Sequence, residues 1–205
     1  KFNESPEATS VWLHLAKKAA EKINAATFDK QRFEANLKEI RQLTIQESGS
    51  FFRRMVELCA EAGVKLVVVP ELKETHISGA ALWLNQHQAM IALSLRYKTN
   101  DHFWFTFFHE AAHILLHGKK SIFLDQRESD NSKEETEANK FAGEFLIPEK
   151  RYQAFVDGGW FDVGAIKGFA REIGVHPGIV AGRLQHDGLL AHKFQNGLKV
   201  QLKLS

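Results

Sequence analysis

The stretch "FTFFHEAAHILLH", residues 105 to 117, sets His109, Glu110, His113 and His117 among Phe105, Phe107, Phe108, Ile114, Leu115 and Leu116. It places proton-carrying and metal-binding groups where water must be displaced, which is costly unless each group finds a partner. His109 and His113 are four residues apart. On a helix at about 100° per residue their side chains point within about 40° of each other, one turn apart. Two imidazoles so placed can share one metal ion. Glu110, beside the first histidine, can reach a water next to that ion and serve as a general base without becoming a ligand. An amphipathic helix with incidental histidines is the plainer reading. The apolar flanks weigh against it, because metal ligands need dry, rigid support.

A catalytic zinc takes a third protein ligand and keeps one position open. His117 lies eight residues past His109, about 12 Å along a helix axis, too far to join the same ion. It reads instead as a helix C-terminal residue, where a partly charged imidazole is favoured by the dipole. An acidic helix after residue 132 offers carboxylates. In "EETEANKFAGEFLIP", Glu137, Phe141, Glu144 and Phe145 fall along one face, and Glu134 sits one turn before Glu137. Glu137 is the expected ligand and Glu134 the reserve. A developing oxyanion needs a second donor besides the metal. His76, Arg96, Tyr97 and His102 are candidates close in sequence, although each also fits an ordinary surface or loop position.

The surrounding elements have to hold these groups. Residues 7 to 63 show helical periodicity in three segments: Val11, Leu15, Ala19 and Ile23; then Phe33, Leu37 and Ile40; then Phe52, Val56, Leu58 and Cys59. "VKLVVVP" reads as a buried strand ended by Pro70. "ISGAALWLN" and "AMIALSL" read as a hairpin whose Gly79 marks a turn or bulge, or a sheet edge along which a peptide can lie. The metal helix follows over about 100–117, then a short strand at "SIFL", the charged loop "DQRESDNSKEE" and a helix over about 132–146 stopped by Pro148. Two or three short helices and a closing hairpin around Asn196-Gly197 complete the expectation. The fold class is α+β: a zincin-like core with a small, mostly antiparallel sheet over 64–150, a helical section over 1–63, and a helical pair with a hairpin over 151–205.

Two spaced motifs and the hairpin together carry a family resemblance. "HFWFTFFHEAAHILLHG", followed 24 residues after His113 by "EANKFAGEFLIP", resembles the ImmA/IrrE family of zinc metallopeptidase domains. That family carries Phe-Thr-x-x-His-Glu-x-x-His-x-x-x-His and later Glu-x-x-Ala-Asn-x-Phe-Ala-x-x-Leu-x-x-Pro, or a close variant. The likeness covers roughly residues 64 to 150 and includes "ISGAALWLNQHQAMIALS". It implies a zinc-dependent, gluzincin-like peptidase with His109, His113 and Glu137 as ligands and Glu110 as base. It further implies a domain of the kind that often follows an N-terminal helix-turn-helix regulator of the XRE type, in antitoxin-like or mobile-element regulators. Ala111 and Ala112 depart from the commonest family wording at positions that are not ligands.

Composition narrows the setting. In 205 residues, 44% hydrophobic and 25% charged, there is room for a sizeable core. The single cysteine, Cys59, rules out an intrachain disulfide framework and a cysteine-rich zinc site. No stretch approaches the roughly 20 apolar residues of a spanning helix, and no signal-peptide pattern opens the sequence. The expected setting is cytoplasmic, with no membrane partner. Net charge is +2, with a basic excess over 150–205, where eight basic residues meet four acidic ones. "FAREIGVHPGIVAGRLQHDG" puts Ala170, Gly174 and Val180 at helix-turn-helix offsets, and with Arg171 and Arg183 residues 169–188 could touch DNA. A helical pair packed beneath the core is favoured, because the second helix offers few side chains able to read bases.

Two functions follow. One is a cytoplasmic metalloendopeptidase acting on a regulatory protein, such as a repressor or a toxin–antitoxin partner. The alternative is a non-proteolytic, zinc-containing transcriptional regulator or antitoxin that binds DNA or a partner protein.

Overall fold

The computed structural model of the chain describes residues 5–46, 51–72, 75–94, 96, 98–118, 122–126 and 132–202. It opens with α1 (Pro6–Glu21), α2 (Lys30–Gln42), a 3-10 turn (Leu43–Ile45) and α3 (Phe51–Glu61). Ser5 caps α1 by accepting from the Ala8 amide, and Pro6 pre-sets the first turn. The face that α1 buries is Trp12, Ala16 and Ala20, each fully covered, whereas Val11 and Leu15 are exposed. The helix stands where its periodicity placed it, but its inner face lies one residue on. Trp12 supplies the large apolar surface, and two alanines let the backbone come close to the sheet, so small residues rather than Val11 and Leu15 face inward.

The sheet has the order β1-β3-β2-β4, built from β1 (Val64–Val68), β2 (Ile77–Trp83), β3 (Ala89–Leu93) and β4 (Ile122–Gln126). β1 and β3 are parallel, while β2 pairs antiparallel with both β3 and β4. The expected hairpin is thus present, and a register shift falls between Ile77 and Gly79. One face of the sheet, with Val67, Ala80, Leu82, Met90 and Ala92, packs under α1. The other face, with Leu66, Ala81, Ile91 and Leu93, packs against Phe107, Phe108 and Ala111 of α4 (Asn100–Leu116). Burial on both sides explains why β3 reads "AMIAL" with no polar alternation.

α5 (Lys133–Leu146) runs beside α4, followed by α6 (Glu149–Asp157), α7 (Val163–Ile173) and α8 (Pro177–His186). Gly174 ends α7 at φ 70°, in the left-handed region, and Ala170 and Val180 are fully buried between the helices. α8 packs on α4. The expected closing hairpin is not formed among the described residues. Asn196–Leu198 is a 3-10 turn, and Gln201 instead makes an antiparallel bridge with Thr99, just ahead of α4. Two features hold it there: Leu198 and Leu202 are buried, and Lys199 Nζ lies 2.6 Å from Asp101 Oδ2. Most of the charged loop before α5, residues 127–131, lies outside the described residues. No described helix is long and apolar enough to cross a membrane.

Candidate metal centre

α4 is buried around nearly its whole circumference, which is why its sequence lacks a polar stripe. His109, Glu110 and His113 are 2%, 0% and 1% exposed. Burial to that degree requires polar partners. The two histidine Nε2 atoms face each other at 3.0 Å. A carboxylate closes the triangle, with Glu135 Oε2 3.1 Å from His109 Nε2 and Glu135 Oε1 3.2 Å from His113 Nε2. The carboxylate is that of Glu135, not Glu137. Glu137 points along α5 to the outer side of the cluster, where Oε2 lies 3.3 Å from His117 Nε2 and Oε1 3.6 Å from Lys133 Nζ. Glu134 is likewise absent from the cluster.

Helix phase explains the difference. α5 meets α4 through Ala138, Ala142 and Leu146, all buried, and Glu135 continues that line one turn earlier. Phe145 stacks on Phe108 from the flank and Phe141 stacks on Phe145, so a face drawn through the aromatics is rotated away from the true contact. Ser132 accepts a hydrogen bond from the Glu135 amide. A glutamate at that third helical position commonly reaches back to the cap; here its carboxylate turns to the histidines instead. The sequence held a second signal. In the family wording Glu-x-x-Ala-Asn-x-Phe-Ala, the glutamate stands three residues before Ala138-Asn139, which is Glu135.

The donor set fits a metal ion. Ligands about 2.0–2.1 Å from a tetrahedral zinc lie about 3.3 Å apart, close to the 3.0, 3.1 and 3.2 Å seen here. Burial alone would raise the pKa of Glu135, but hydrogen bonds and charge from His109 and His113 outweigh it and hold the carboxyl at about 2. Burial lowers the pKa of His113. Both shifts keep the groups in the ionisation state that ligands need. His109 Nδ1 lies 3.0 Å from Asn139 Oδ1, and His113 Nδ1 lies 2.9 Å from His117 Nδ1.

Glu110 comes from the same helix and meets β2. A Cβ built on Gly79 would lie 2.5 Å from Glu110 Oε1, so only glycine lets the strand pass the carboxylate at this distance. Gly79 is therefore a close-approach residue at the register shift. Of the four candidate oxyanion donors, Arg96 and His102 line a small cavity with Ser78 and Thr106, one helical turn before Glu110. Arg96 also donates to the His76 carbonyl and pairs with Glu71. Tyr97 lies outside the described residues. Arg183, a candidate DNA contact, lies over the Tyr152 ring and pairs with Asp187 and Glu149.

A buried helix with two histidines one turn apart, a carboxylate from the next helix and a small mixed sheet behind them define a zincin-like domain with a candidate metal site. The family model of the IrrE N-terminal-like domain, Peptidase_M78, matches residues 59–185, and the chain belongs to that family. No curated protein matches the chain.

Proposed function

We propose that the chain is a zinc-dependent endopeptidase that cleaves a regulatory protein, a repressor or a toxin–antitoxin partner, in the cytoplasm. The convergence of His109, His113 and Glu135, with Glu110 held on the same helix, carries this reading. The three donors would hold the ion and leave one position open, the arrangement of catalytic rather than structural zinc. When bound, zinc supplies Lewis-acid chemistry, making a water nucleophilic near neutral pH and polarising a peptide carbonyl.

This chain's own residues do the rest. The Glu110 carboxylate takes a proton from the attacking water and returns it to the departing amine nitrogen. Its full burial between α4 and β2 excludes bulk water and fixes its aim. Phe105 packs beside His109, with ring centroids 6.2 Å apart, and keeps that ligand from swinging.

The test compares whole-cell proteomes carrying the wild type and Glu110→Gln, with zinc content measured on both purified chains. One protein lost only with the wild type, at equal zinc content, is the expected result. Identical proteomes together with intact regulation by Glu110→Gln would transfer the function to the non-proteolytic alternative.

A further inference from the structure

Helix ends leave their last carbonyls without intrahelical partners, and a cation that reaches them satisfies those groups and meets the negative end of the dipole. Arg41, in the last turn of α2, does this for two helices at once. Its Nε donates to the Phe145 carbonyl at 2.8 Å and to the Leu146 carbonyl at 3.2 Å, and its Nη2 donates to the Leu146 and Ile173 carbonyls, each at 2.8 Å. Phe145 and Leu146 close α5, and Ile173 closes α7. A guanidinium holds its donors in a fixed planar fork, so it sets the positions of these carbonyls in a way that a flexible ammonium does not. At the other end of α2, Lys30 Nζ donates to the Leu115 carbonyl in the last turn of α4, at 3.1 Å.

α2 thus runs along both helices that carry the metal donors. α4 and α5 are antiparallel: His113 meets Glu135 near one end of the pair, and Phe108 stacks on Phe145 near the other. Lys30 and Arg41 are eleven residues apart, about 16 Å of helix. Glu135 and Phe145 are ten apart, about 15 Å. Between the two cations, Phe33, Leu37 and Ile40 are buried in the same core as Phe107, Phe108 and Leu146. Glu135 therefore sits in the first turn of a helix that Arg41 grips at the far end. A helix is stiff along its axis, so a slide of α5 by one residue's rise, about 1.5 Å, would carry the carboxylate off the two Nε2 atoms, whereas a working site tolerates about 0.5 Å.

We propose that Arg41 is a positioning residue of the metal centre: it fixes the axial position of α5 and so brings Glu135 to His109 and His113. It does so from α2, outside residues 59–185 that the family model matches. The inference rests on the metal site proposed above.

The experiment uses the full chain with three substitutions. Arg41→Met keeps the apolar stem and removes the fork, Arg41→Lys returns the charge without the fork, and Trp12→Leu, in the core on the far face of the sheet, is the control for lost stability. Chelator competition reports zinc affinity, and the visible absorption of the cobalt-loaded chain reports the donor set and its geometry. In Arg41→Met zinc should bind about 10-fold more weakly, the low end of the loss seen for outer partners, and the cobalt spectrum should change as Glu135 moves out of line. Arg41→Lys should fall between it and the wild type, while Trp12→Leu should match the wild type in both readouts. Wild-type affinity and spectrum in Arg41→Met would overturn the proposal. Equal weakening in Trp12→Leu would also overturn it, because Arg41 would then act through general stability alone. If Arg41→Met fails to fold, Arg41→Lys carries the test, and an affinity within about twofold of wild type would count against the role. A wild type that binds no metal refutes the metal site instead. Amide hydrogen exchange on the metal-free chains then decides whether Arg41 holds α5: faster exchange of α5 in Arg41→Met than in Trp12→Leu supports it, and equal exchange refutes it.

Discussion

Gly79→Ala is the most direct probe of how the sheet aims the proposed base. The added Cβ would lie 2.5 Å from Glu110 Oε1, 2.7 Å from Thr106 Cγ2 and 2.9 Å from Glu110 Cγ. Comfortable carbon contacts are about 3.5–4.0 Å, so the carboxylate must retreat by about 1 Å or the strand must bend. Neither is easy. Glu110 is fully buried on a packed helix, and Gly79 is paired with Leu93 on one side and Asp125 on the other. Overpacking of this kind costs about 1–3 kcal/mol. For a chain of this size that lowers Tm by about 2–4 °C per kcal/mol. A base displaced by about 1 Å should also lose about 100-fold in turnover. Zinc content should hold, because none of the three donors touches Gly79. The assay is a double-mutant cycle in urea with Glu110→Ala, which removes two of the three obstructing atoms. The cost of Gly79→Ala should shrink in that background. Additivity within about 0.3–0.5 kcal/mol would refute the claim that strand and carboxylate compete for one space.

Glu135→Ala should lower zinc affinity by more than the 10- to 100-fold expected of an outer residue, roughly, and by more than Glu137→Ala; isothermal titration showing the reverse ranking would return the ligand role to Glu137. Lys199→Met should cost about 3–5 kcal/mol in urea unfolding, because it strands the Asp101 carboxylate, 7% exposed, without its cation; a loss below about 1 kcal/mol would mean that the pair is solvated. Burial holds the pKa of His176 below its ordinary value, and the neutral ring accepts from the Gly178 amide at 3.0 Å. The unfolded chain then binds the proton more readily, so this contribution is whole above about pH 6.5 and is lost as pH falls from there through the depressed folded value. His176→Asn keeps the cap and should flatten that part of the stability curve; an unchanged slope between about pH 7 and 5 would remove His176 from the account.

The metal helix was legible because its signal is local: His109 and His113 need only helical spacing to meet. The helices, the hairpin of β2 and β3, and the turn at Gly174 were legible for the same reason. What misled was leaving the packed alanines out when choosing the inner face of a helix. In α1 and in α5 the packed face is lined by alanines, Ala16 and Ala20 or Ala138 and Ala142, because close approach needs small side chains. That one habit moved the inner face of α1 by a residue and the third donor from Glu135 to Glu137. The tail misled differently. A turn-forming Asn196-Gly197 between apolar runs suggests a hairpin, yet the partner of Gln201 is Thr99, about a hundred residues away, and no local pattern reports such a pairing.

That distant pairing bears on the order in which the molecule can be assembled during synthesis. The residues of the metal helix are all translated by Leu116, but its first turn is completed from much later in the chain: the Asn100 amide donates to the Val200 carbonyl, Asn100 Oδ1 accepts from the Val200 amide, and Asp101 awaits Lys199. Long-range closure of this kind is slow compared with helix formation. A nascent chain that has emerged only as far as α5 therefore carries His109, His113 and Glu135 on helices whose base is still unfastened. The first turn of its metal helix is fastened only after the segment around residues 198–202 has left the ribosome.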